Sequence, residues 1–300
     1  MAPATRESGL PHALGAILLW STSAAFLVSL PDWTVPQILL GTHLVAAVAL
    51  NGWAALRLGP RLALARLATL DRRALACGLL GTFVYQMAYV AGLKMAPPAE
   101  ANLLNYLWPL FTALLAVPLR GEKMSVVLWS ALGCGLLGVA ALVGGPAAGA
   151  YPLRLVGYGA ALAGALAWGL YSNLLAGMKL DPLTSQRAFV LLGAGAFAVA
   201  SLVEGAPLGP TDPGSLARIA YVGCAPVAAA VLLWQAAMQR GPIHRIATAS
   251  YLTPVLSTFW LGLLAGAPIT PRVVVGLALV LVAAALPSVD QLLQSRTATR

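Results

Sequence analysis

The sequence predicts an all-α membrane protein with ten transmembrane helices in two inverted five-helix repeats. Three observations predict this fold: an apolar composition, apolar runs of about 20 residues along the whole chain, and self-similarity between its halves. Of the 300 residues, 60% are hydrophobic and 9% are charged, whereas an ordinary soluble domain carries roughly 25% charged residues. This composition excludes a soluble globular protein.

A transmembrane helix needs about 20 apolar residues to cross roughly 30 Å of hydrocarbon. Ten runs of this kind occur, at about residues 10–30, 37–56, 74–93, 99–119, 125–144, 155–176, 183–203, 216–238, 246–266 and 271–289. Backbone groups within lipid must find their hydrogen bonds inside the protein, so only helices and closed barrels span a bilayer. A barrel would show shorter segments of alternating polarity. The continuous runs therefore predict helices, which we number as spans one to ten.

The net charge of +9 indicates an orientation in the membrane. If the N-terminus is cytoplasmic, fourteen of the 18 Lys and Arg residues fall on the cytoplasmic side, and the other four are Lys94, Arg154, Arg218 and Arg272. Cytoplasmic loops of membrane proteins carry such an excess of basic residues. We therefore expect both termini in the cytoplasm, and no nucleic-acid partner, since no basic domain or stripe is present.

The two halves of the chain resemble each other when 145 is added to the residue numbers of the first. The matched pairs are Tyr89 with Trp234, Pro97 with Pro242, Tyr106 with Tyr251, Pro109 with Pro254, and Gly121 with Gly266. We therefore divide the chain into repeats at 1–150 and 151–300. Each repeat contains five spans, so the second must enter the membrane from the opposite side. Inverted repeats are typical of secondary transporters, which bind substrate near the midplane between the halves.

Two prolines predict helix kinks in spans four and nine. Pro109 has no amide to donate to the carbonyl of Asn105, and Pro254 has none for the carbonyl of Ser250. Within a membrane, unpaired backbone is tolerated only where neighbouring protein or a water-filled cavity satisfies it. The two prolines therefore predict that spans four and nine face a common cavity.

Polar and aromatic side chains around these prolines form the candidate substrate site. An aromatic surface with a few hydrogen-bonding groups suits a small, partly apolar solute. Because Trp and Tyr also collect at membrane interfaces, a packing role stays open for each single aromatic residue. The candidate site residues are Trp20, Tyr85, Tyr89, Asn102, Asn105, Tyr106, Trp108, Trp168, Ser250, Tyr251 and Thr253.

Asp, Glu, Lys and Arg side chains are missing from the central portion of every span. Such groups usually mark ion or proton coupling, so facilitated diffusion is the simpler mechanism. Glu100, near the start of span four, suits a helix N-terminus as a cap, with a gate as the alternative role. His43 in span two predicts a hydrogen bond to another helix. We expect no metal and no cofactor, and no enzyme, since no His, Asp or Cys set has catalytic spacing.

Three segments, LWST in span one, NYLWP in span four and YLTPVLS in span nine, resemble EamA-type members of the drug/metabolite transporter superfamily. Within that superfamily they are most similar to the YddG aromatic amino acid exporters. The resemblance implies export of aromatic and other amino acids across a bacterial inner membrane, by alternating access through a central cavity. It implies cavity roles for Trp20, Tyr85, Asn105, Tyr106, Trp108 and Trp168. Thr253 stands where the repeat would place a second Trp108, so an asymmetric site is expected.

Other functions stay open from the sequence. The same fold would accommodate a nucleobase, a polyamine, a drug or another metabolite, although a polyamine would favour acidic groups in the cavity. A receptor or assembly subunit that transports nothing is a further alternative. The expected partners are a small-molecule substrate and the lipid bilayer, with a monomer as the assembly.

Overall fold

The computed structural model describes residues 9–143, 151–240 and 249–297, and every regular element in these ranges is helical. Two of the helical segments are π-helices, π1 (Leu80–Val84) and π2 (Gly223–Ala229). The α-helices are α1 Leu10–Val28, α2 Val35–Leu58, α3 Pro60–Leu67, α4 Arg72–Leu79, α5 Tyr85–Met95, α6 Pro98–Asn105, α7 Trp108–Arg120, α8 Val126–Val143, α9 Tyr151–Ala176, α10 Pro182–Glu204, α11 Pro213–Val222, α12 Ala230–Arg240, α13 Leu252–Ala265 and α14 Pro271–Thr297.

Eight helical stretches within the described residues are long and apolar enough to cross a bilayer, so the chain is a multi-pass membrane protein. They coincide with the first eight predicted spans. Two shorter apolar helices, Leu252–Ala265 and Pro271–Pro287, lie within the ninth and tenth. Residues 246–248 of the ninth predicted span lie outside the described residues, as does Pro242 of the repeat alignment.

Side chains cap the helices where loops enter the bilayer. The Thr34 hydroxyl accepts from the Gln37 amide, and the Gln37 side chain accepts in return from the Thr34 amide. Asp71, Asp181 and Asp212 each accept from an amide three residues later. Such caps satisfy amides that have no partner inside the helix. They fix the starts of α2, α4, α10 and α11.

Helix ends repeat the spacing found in the sequence. Gly121 ends α7 with φ of 70°, and Gly266 ends α13 with φ of 64°. These two glycines differ by the same 145 residues as the sequence matches. A positive φ is costly for any residue with a Cβ. The backbone therefore needs glycine at both equivalent positions.

Spans three, four, eight and nine are not continuous α-helices; span nine has a turn at Tyr251, the residue matched with Tyr106. Span four is interrupted by a turn at Tyr106 and Leu107, and Pro109 lies in the first turn of α7, where a missing amide is tolerated. Spans three and eight contain π1 and π2, whose positions correspond in the two halves. The sequence pattern predicted neither π-helix, although Pro226 lies inside π2.

The helices pack in matched pairs. In one set, α5, α6 and α7 pack on α9, and we call spans three, four and six the first three-span group. In the other, α12 and α13 pack on α1, and we call spans eight, nine and one the second three-span group. Between the groups, α2 packs on α10 and α8 packs on α14. The two three-span groups are thus related by a shift of five spans, and the other two pairs each join a span to the one five spans later.

The two three-span groups meet at one end of the bundle, which we call the sealed end. There α6 contacts α13, and both α5 and α6 contact α1. Buried apolar residues fill this region, including Leu27, Leu30, Val90, Leu93 and Leu104. The helices of the opposite end, α4, α7 and α12, show no comparable contact between groups within the described residues. We call that opposite end the basic end, since most of the Lys and Arg residues lie there.

The close packing of α9 on α7 predicts that Gly169→Val destabilises the protein. A Cβ at position 169 would lie 2.9 Å from backbone atoms of Phe111 and Thr112, and relieving such overpacking costs about 1–3 kcal/mol. Thermal unfolding in detergent should show a lower midpoint for Gly169→Val. The matched control is Gly159→Val on the same helix, where a Cβ would meet no atom within 4 Å. Equal midpoints for the two variants would contradict this packing.

Candidate functional site

Trp168 on α9 is the centre of an aromatic cluster in the first three-span group. Its ring centroid lies 4.6 Å from that of Tyr85, 6.3 Å from that of Trp108 and 5.1 Å from that of Tyr171. The Tyr85 ring is stacked parallel to that of Tyr89 at 5.9 Å. We call these five residues the Trp168 cluster. The structure thus brings together four of the candidate site residues and adds Tyr171.

Asn105 is the polar group of this cluster. Its Nδ2 atom donates a long hydrogen bond of 3.4 Å to the Tyr85 hydroxyl, while its Oδ1 atom is buried without a hydrogen-bond partner. Only 3% of Asn105 is exposed. An unsatisfied buried acceptor costs about 1–3 kcal/mol. Gly164 faces this acceptor, since a Cβ at that position would lie 3.3 Å from Oδ1.

Asn102 belongs to a separate polar network at the sealed end. The Tyr89 hydroxyl donates to Asn102 Oδ1 at 2.8 Å, and Asn102 Nδ2 donates to the Ser257 hydroxyl at 3.0 Å. All three residues are buried. Because Ser257 lies on α13, this network joins the two three-span groups. In this conformation Asn102 and Tyr89 therefore hold the sealed end together.

Trp20 lies outside the Trp168 cluster. Its indole Nε1 donates to the carbonyl of Pro226 in π2 at 3.0 Å, and its ring lies 5.4 Å from that of Trp234. Trp20 and Trp234 both belong to the second three-span group. The two tryptophans matched between the repeats, Trp20 and Trp168, therefore lie in separate aromatic clusters, one in each group.

The candidate residues around span nine differ in their surroundings. The Tyr251 hydroxyl donates to the carbonyl of Ala284 at 2.9 Å, which attaches the start of α13 to α14. Thr253 is buried, whereas Ser250 is half-buried. In span four, Tyr106 and Trp108 are half-buried. Thr253 is therefore more buried than Trp108, the residue that matches it in the first repeat.

Backbone hydrogen bonds at the break in span four avoid Asn105. The amide of Tyr106 donates to the carbonyls of Asn102 and Leu103, and that of Leu107 donates to the carbonyl of Leu104. The next possible donor one turn on, Pro109, has no amide. The carbonyl of Asn105 therefore takes part in none of the hydrogen bonds that form this turn.

A buried ion pair at the sealed end was not predicted from the sequence. Arg154 Nη2 on α9 donates to Glu100 Oε2 at 3.1 Å, and Arg154 Nε donates to the Tyr158 hydroxyl at 2.6 Å. The Tyr158 hydroxyl also donates to the Glu100 carboxylate. Glu100 lies in the first turn of its own helix, as expected for a carboxylate that favours a helix N-terminus, and it also pairs with Arg154. The two residues lie 54 positions apart in the chain, so no local sequence pattern indicates that they pair.

Lys94 forms a second unpredicted contact at the sealed end. Its ammonium group donates to the carbonyls of Leu30 at 3.0 Å and Pro31 at 3.1 Å, and also to that of Trp33. These carbonyls follow the end of α1, where a cation is favourable. The contact joins α5 of the first three-span group to the turn after α1.

His43 makes no hydrogen bond to another helix through its Nδ1 atom, which lies 2.8 Å from the Leu39 carbonyl of its own helix. Its ring instead packs edge-on against Phe197 of α10, with ring centroids 4.8 Å apart. The predicted helix-to-helix hydrogen bond is wrong. A buried imidazole can satisfy itself within one turn of its own helix and still pack against the next helix.

An apolar groove with a volume of about 540 Å³ lies between α4 and α10 on the outside of the bundle. Its lining consists of Leu, Ala, Gly and Val side chains. Such a lining offers no hydrogen bond to orient a polar solute, so we assign the candidate site to the Trp168 cluster. Among the described residues, no three His, Cys, Asp or Glu side chains are placed to hold a metal ion.

Comparisons with known proteins extend over most of the chain. Residues 7–144 and 155–289 match the EamA-like transporter family. The aromatic amino acid exporter YddG of Ancylobacter novellus is 34% identical over 261 residues, which cover 86% of this chain and 88% of that protein. A solved crystal structure with 29% sequence identity aligns with a TM-score of 0.66, covering 96% of this chain and 98% of that one. These matches confirm the resemblance found in the sequence.

The Glu100–Arg154 pair predicts non-additive effects on stability. Removing one partner of a buried pair costs about 3–5 kcal/mol, whereas replacing both by apolar residues is often neutral. We therefore expect Glu100→Leu and Arg154→Met each to lower the midpoint of thermal unfolding in detergent, and the double variant to recover most of the loss. Additive losses in the double variant would show that the two charges act independently.

Proposed function

The chain belongs to the EamA-like transporter family, and on that premise we propose that it exports aromatic and other amino acids across a bacterial inner membrane. The observation that carries this proposal is the Trp168 cluster together with Asn105, which bonds to the cluster's Tyr85 hydroxyl and keeps a buried Oδ1 atom without a partner. Family membership makes the chain a membrane transporter rather than an enzyme. The substrate class and the mechanism are our proposal.

We propose ten spans in two inverted repeats, residues 1–150 and 151–300, with both termini in the cytoplasm. Three features support the repeats: the two family matches, the equivalent glycine ends of α7 and α13, and the matched helix pairs. An odd number of spans per repeat requires the inversion. On this orientation the sealed end faces outward, because Lys94 and Arg154 lie there, and the basic end faces the cytoplasm.

Aromatic rings and one amide account for recognition of an amino acid. The rings of Tyr85, Trp108 and Trp168 offer an apolar wall for a side chain, and aromatic pairs contribute about 0.5–1.5 kcal/mol beyond area burial. Their faces also attract a substrate ammonium group. Asn105 Oδ1 is an acceptor for that ammonium group. Tyr106, half-buried beside Asn105, and the second group's Trp20, Ser250, Tyr251 and Thr253 complete the proposed cavity between the groups.

The unequal packing of the two ends supports the proposal of alternating access. The three-span groups are joined at the sealed end by the Asn102–Ser257 hydrogen bond and by Lys94. At the basic end α4, α7 and α12 lack comparable contacts between groups within the described residues. Substrate therefore enters from the cytoplasm in this conformation. Release outward requires the groups to part at the sealed end and to meet at the basic end.

The simplest mechanism is facilitated diffusion, because the Trp168 cluster contains no Asp, Glu, Lys, Arg or His. The buried charges Glu100 and Arg154 pair with each other. The alternative substrate is another small solute in the same fold. Among such solutes a nucleobase fits best, because an asparagine amide beside stacked rings would also suit a planar base.

Flux measurements test the proposed site. Liposomes that contain the protein and are preloaded with phenylalanine or methionine should release the solute faster than preloaded liposomes without protein. We expect Trp168→Ala to reduce flux by roughly tenfold, equivalent to about 1.4 kcal/mol, because it removes the centre of the cluster. Asn105→Ala should reduce flux similarly, because a hydrogen bond to a charged group is worth about 1.5–3 kcal/mol.

The matched control for this experiment is Trp129→Ala on α8, since the Trp129 side chain is 61% exposed on the outside of the bundle. It should transport like the unchanged protein. Normal flux in both site variants would remove the assignment of the Trp168 cluster. Counterflow with nucleobases but with no amino acid would replace the proposed substrate class by the alternative.

Lys94→Met is expected to favour opening of the sealed end, because it keeps the side chain's length but removes three hydrogen bonds to carbonyls. A hydrogen bond to a charged group contributes about 1.5–3 kcal/mol. Removing this stabilisation of the sealed end raises the population of the open conformation by roughly tenfold or more. To measure opening, a cysteine is introduced by Ala101→Cys at a buried position on α6. The readout is the rate at which a membrane-impermeant thiol reagent, added outside, labels this cysteine.

Labelling requires a background in which Cys77, Cys134 and Cys224 are replaced by serine. The matched control is Lys123→Met, which removes an exposed lysine of the basic end. An unchanged labelling rate in Lys94→Met would show that Lys94 does not hold the sealed end. Equal acceleration by Lys123→Met would point to a general charge effect instead.

A further inference from the structure

The apolar groove on the outside of the bundle follows α10 from the basic end toward the middle of the membrane. Small residues of α10, Ala188, Gly195 and Ala196, line it together with Leu75 and Leu79 of α4. On α10 the lining extends as far as residue 199. At 1.5 Å per residue, the stretch from 188 to 199 is roughly 16 Å long. That is about half of the roughly 30 Å hydrocarbon thickness, the depth of one leaflet.

A polar pocket of about 270 Å³ adjoins this groove at the basic end. Arg66 of α3 lines the pocket, and its neighbour Leu67 lines the groove. On α10, Thr184 lines the pocket and Ala188, one turn later, lines the groove. The two concave surfaces are therefore neighbours along α3 and α10, with the polar pocket at the end of α10 and the apolar groove further along it.

The polar pocket has an excess of positive charge. Arg66 and Lys179 line it, and neither forms an ion pair within the described part of the chain. The carboxylate of Asp181 is occupied, because it accepts from the amide and the hydroxyl of Thr184. Burial raises the pKa of Asp181, but the Thr184 hydrogen bonds, with Arg66 and Arg187 nearby, lower it overall. Asp181 thus stays ionised and offsets only one of the two cations.

Arg187, one turn further along α10, adds a buried positive charge next to the pocket. It is 2% exposed, and its guanidinium donates to Asn51 Oδ1 and to the Ala63 carbonyl. Its Nη1 atom has no hydrogen-bond partner, and no carboxylate pairs with it among the described residues. The Asp181 carboxylate attracts Arg187 without forming an ion pair with it. One carboxylate thus faces three cations, and this excess of positive charge favours a nearby anion.

We propose that the groove and the pocket together form a binding site for one anionic phospholipid of the leaflet at the basic end. The phosphate lies between Arg66 and Lys179, and one acyl chain lies along α10 in the groove. Basic residues at a membrane surface attract anionic lipids, and pockets of this kind bind lipid head groups. The site is independent of the proposed substrate, since it lies outside the bundle. A lipid bound there joins α3 and α4 to α10.

Native mass spectrometry of the full chain, purified in detergent and supplied with equal amounts of phosphatidylglycerol and phosphatidylethanolamine, tests this site. We expect one retained phosphatidylglycerol per protein. Gly195→Leu should reduce its occupancy by fivefold or more, because position 195 has no atom within 4 Å of an added Cβ and the new side chain fills the groove. Gly133→Leu on α8, with equally open space, is the matched control and should retain the lipid.

The head-group part of the site is tested by Arg66→Gln combined with Lys179→Gln. We expect the preference for phosphatidylglycerol over phosphatidylethanolamine to fall by about fivefold for each cation removed. The control, Arg120→Gln combined with Lys123→Gln, removes two exposed cations from the same end and should preserve the preference. Gly195→Ala, which fills less of the groove, should give an intermediate occupancy and replaces Gly195→Leu should that variant fold poorly.

Two results would overturn the proposal. Retention of phosphatidylglycerol by Gly195→Leu at the level of Gly133→Leu would show that the lipid does not occupy the groove. An equal loss of preference in the Arg120 and Lys123 control would show that anionic lipid responds only to the general charge of the basic end.

Discussion

The structure depends on one constraint: polar groups inside a bilayer must be satisfied by the protein itself. Most of the chain meets it with uninterrupted helices. Span four is one of the interrupted spans and breaks at Tyr106 and Leu107. The break brings Asn102 and Asn105, both buried, into contact with other helices. Asn102 finds partners on α5 and α13, whereas Asn105 keeps one acceptor without any.

The two asparagines of this short helix differ in how their side chains are hydrogen-bonded. Asn102 uses both ends of its amide to connect the three-span groups, so its role is mechanical in this conformation. Asn105 is held only by a long hydrogen bond to Tyr85, and its free acceptor is placed within an aromatic surface. A site with one unpaired acceptor gains most from a ligand that supplies a donor, because the cost of the unsatisfied group is then removed.

The repeats share a scaffold but differ in their side chains. Equivalent glycines, equivalent π-helices and equivalent helix pairs occur in both halves. Yet Trp168 lies among four aromatic rings, while Trp20 bonds to the backbone of π2 and packs on Trp234 alone among the described ring contacts. A symmetric scaffold can exchange the roles of its two ends, and asymmetric side chains allow a single substrate site.

Several features were determined by the sequence alone: the helical class, the positions of the first eight spans and the offset of 145 between the halves. Each of these depends on runs of about 20 residues and on local residue types. Only the tertiary structure decided that Glu100 pairs with Arg154 and that Asn102 bonds to Ser257. Those partners lie 54 and 155 residues apart. Such contacts depend on how helices pack in three dimensions, and no local sequence pattern encodes which helix faces which.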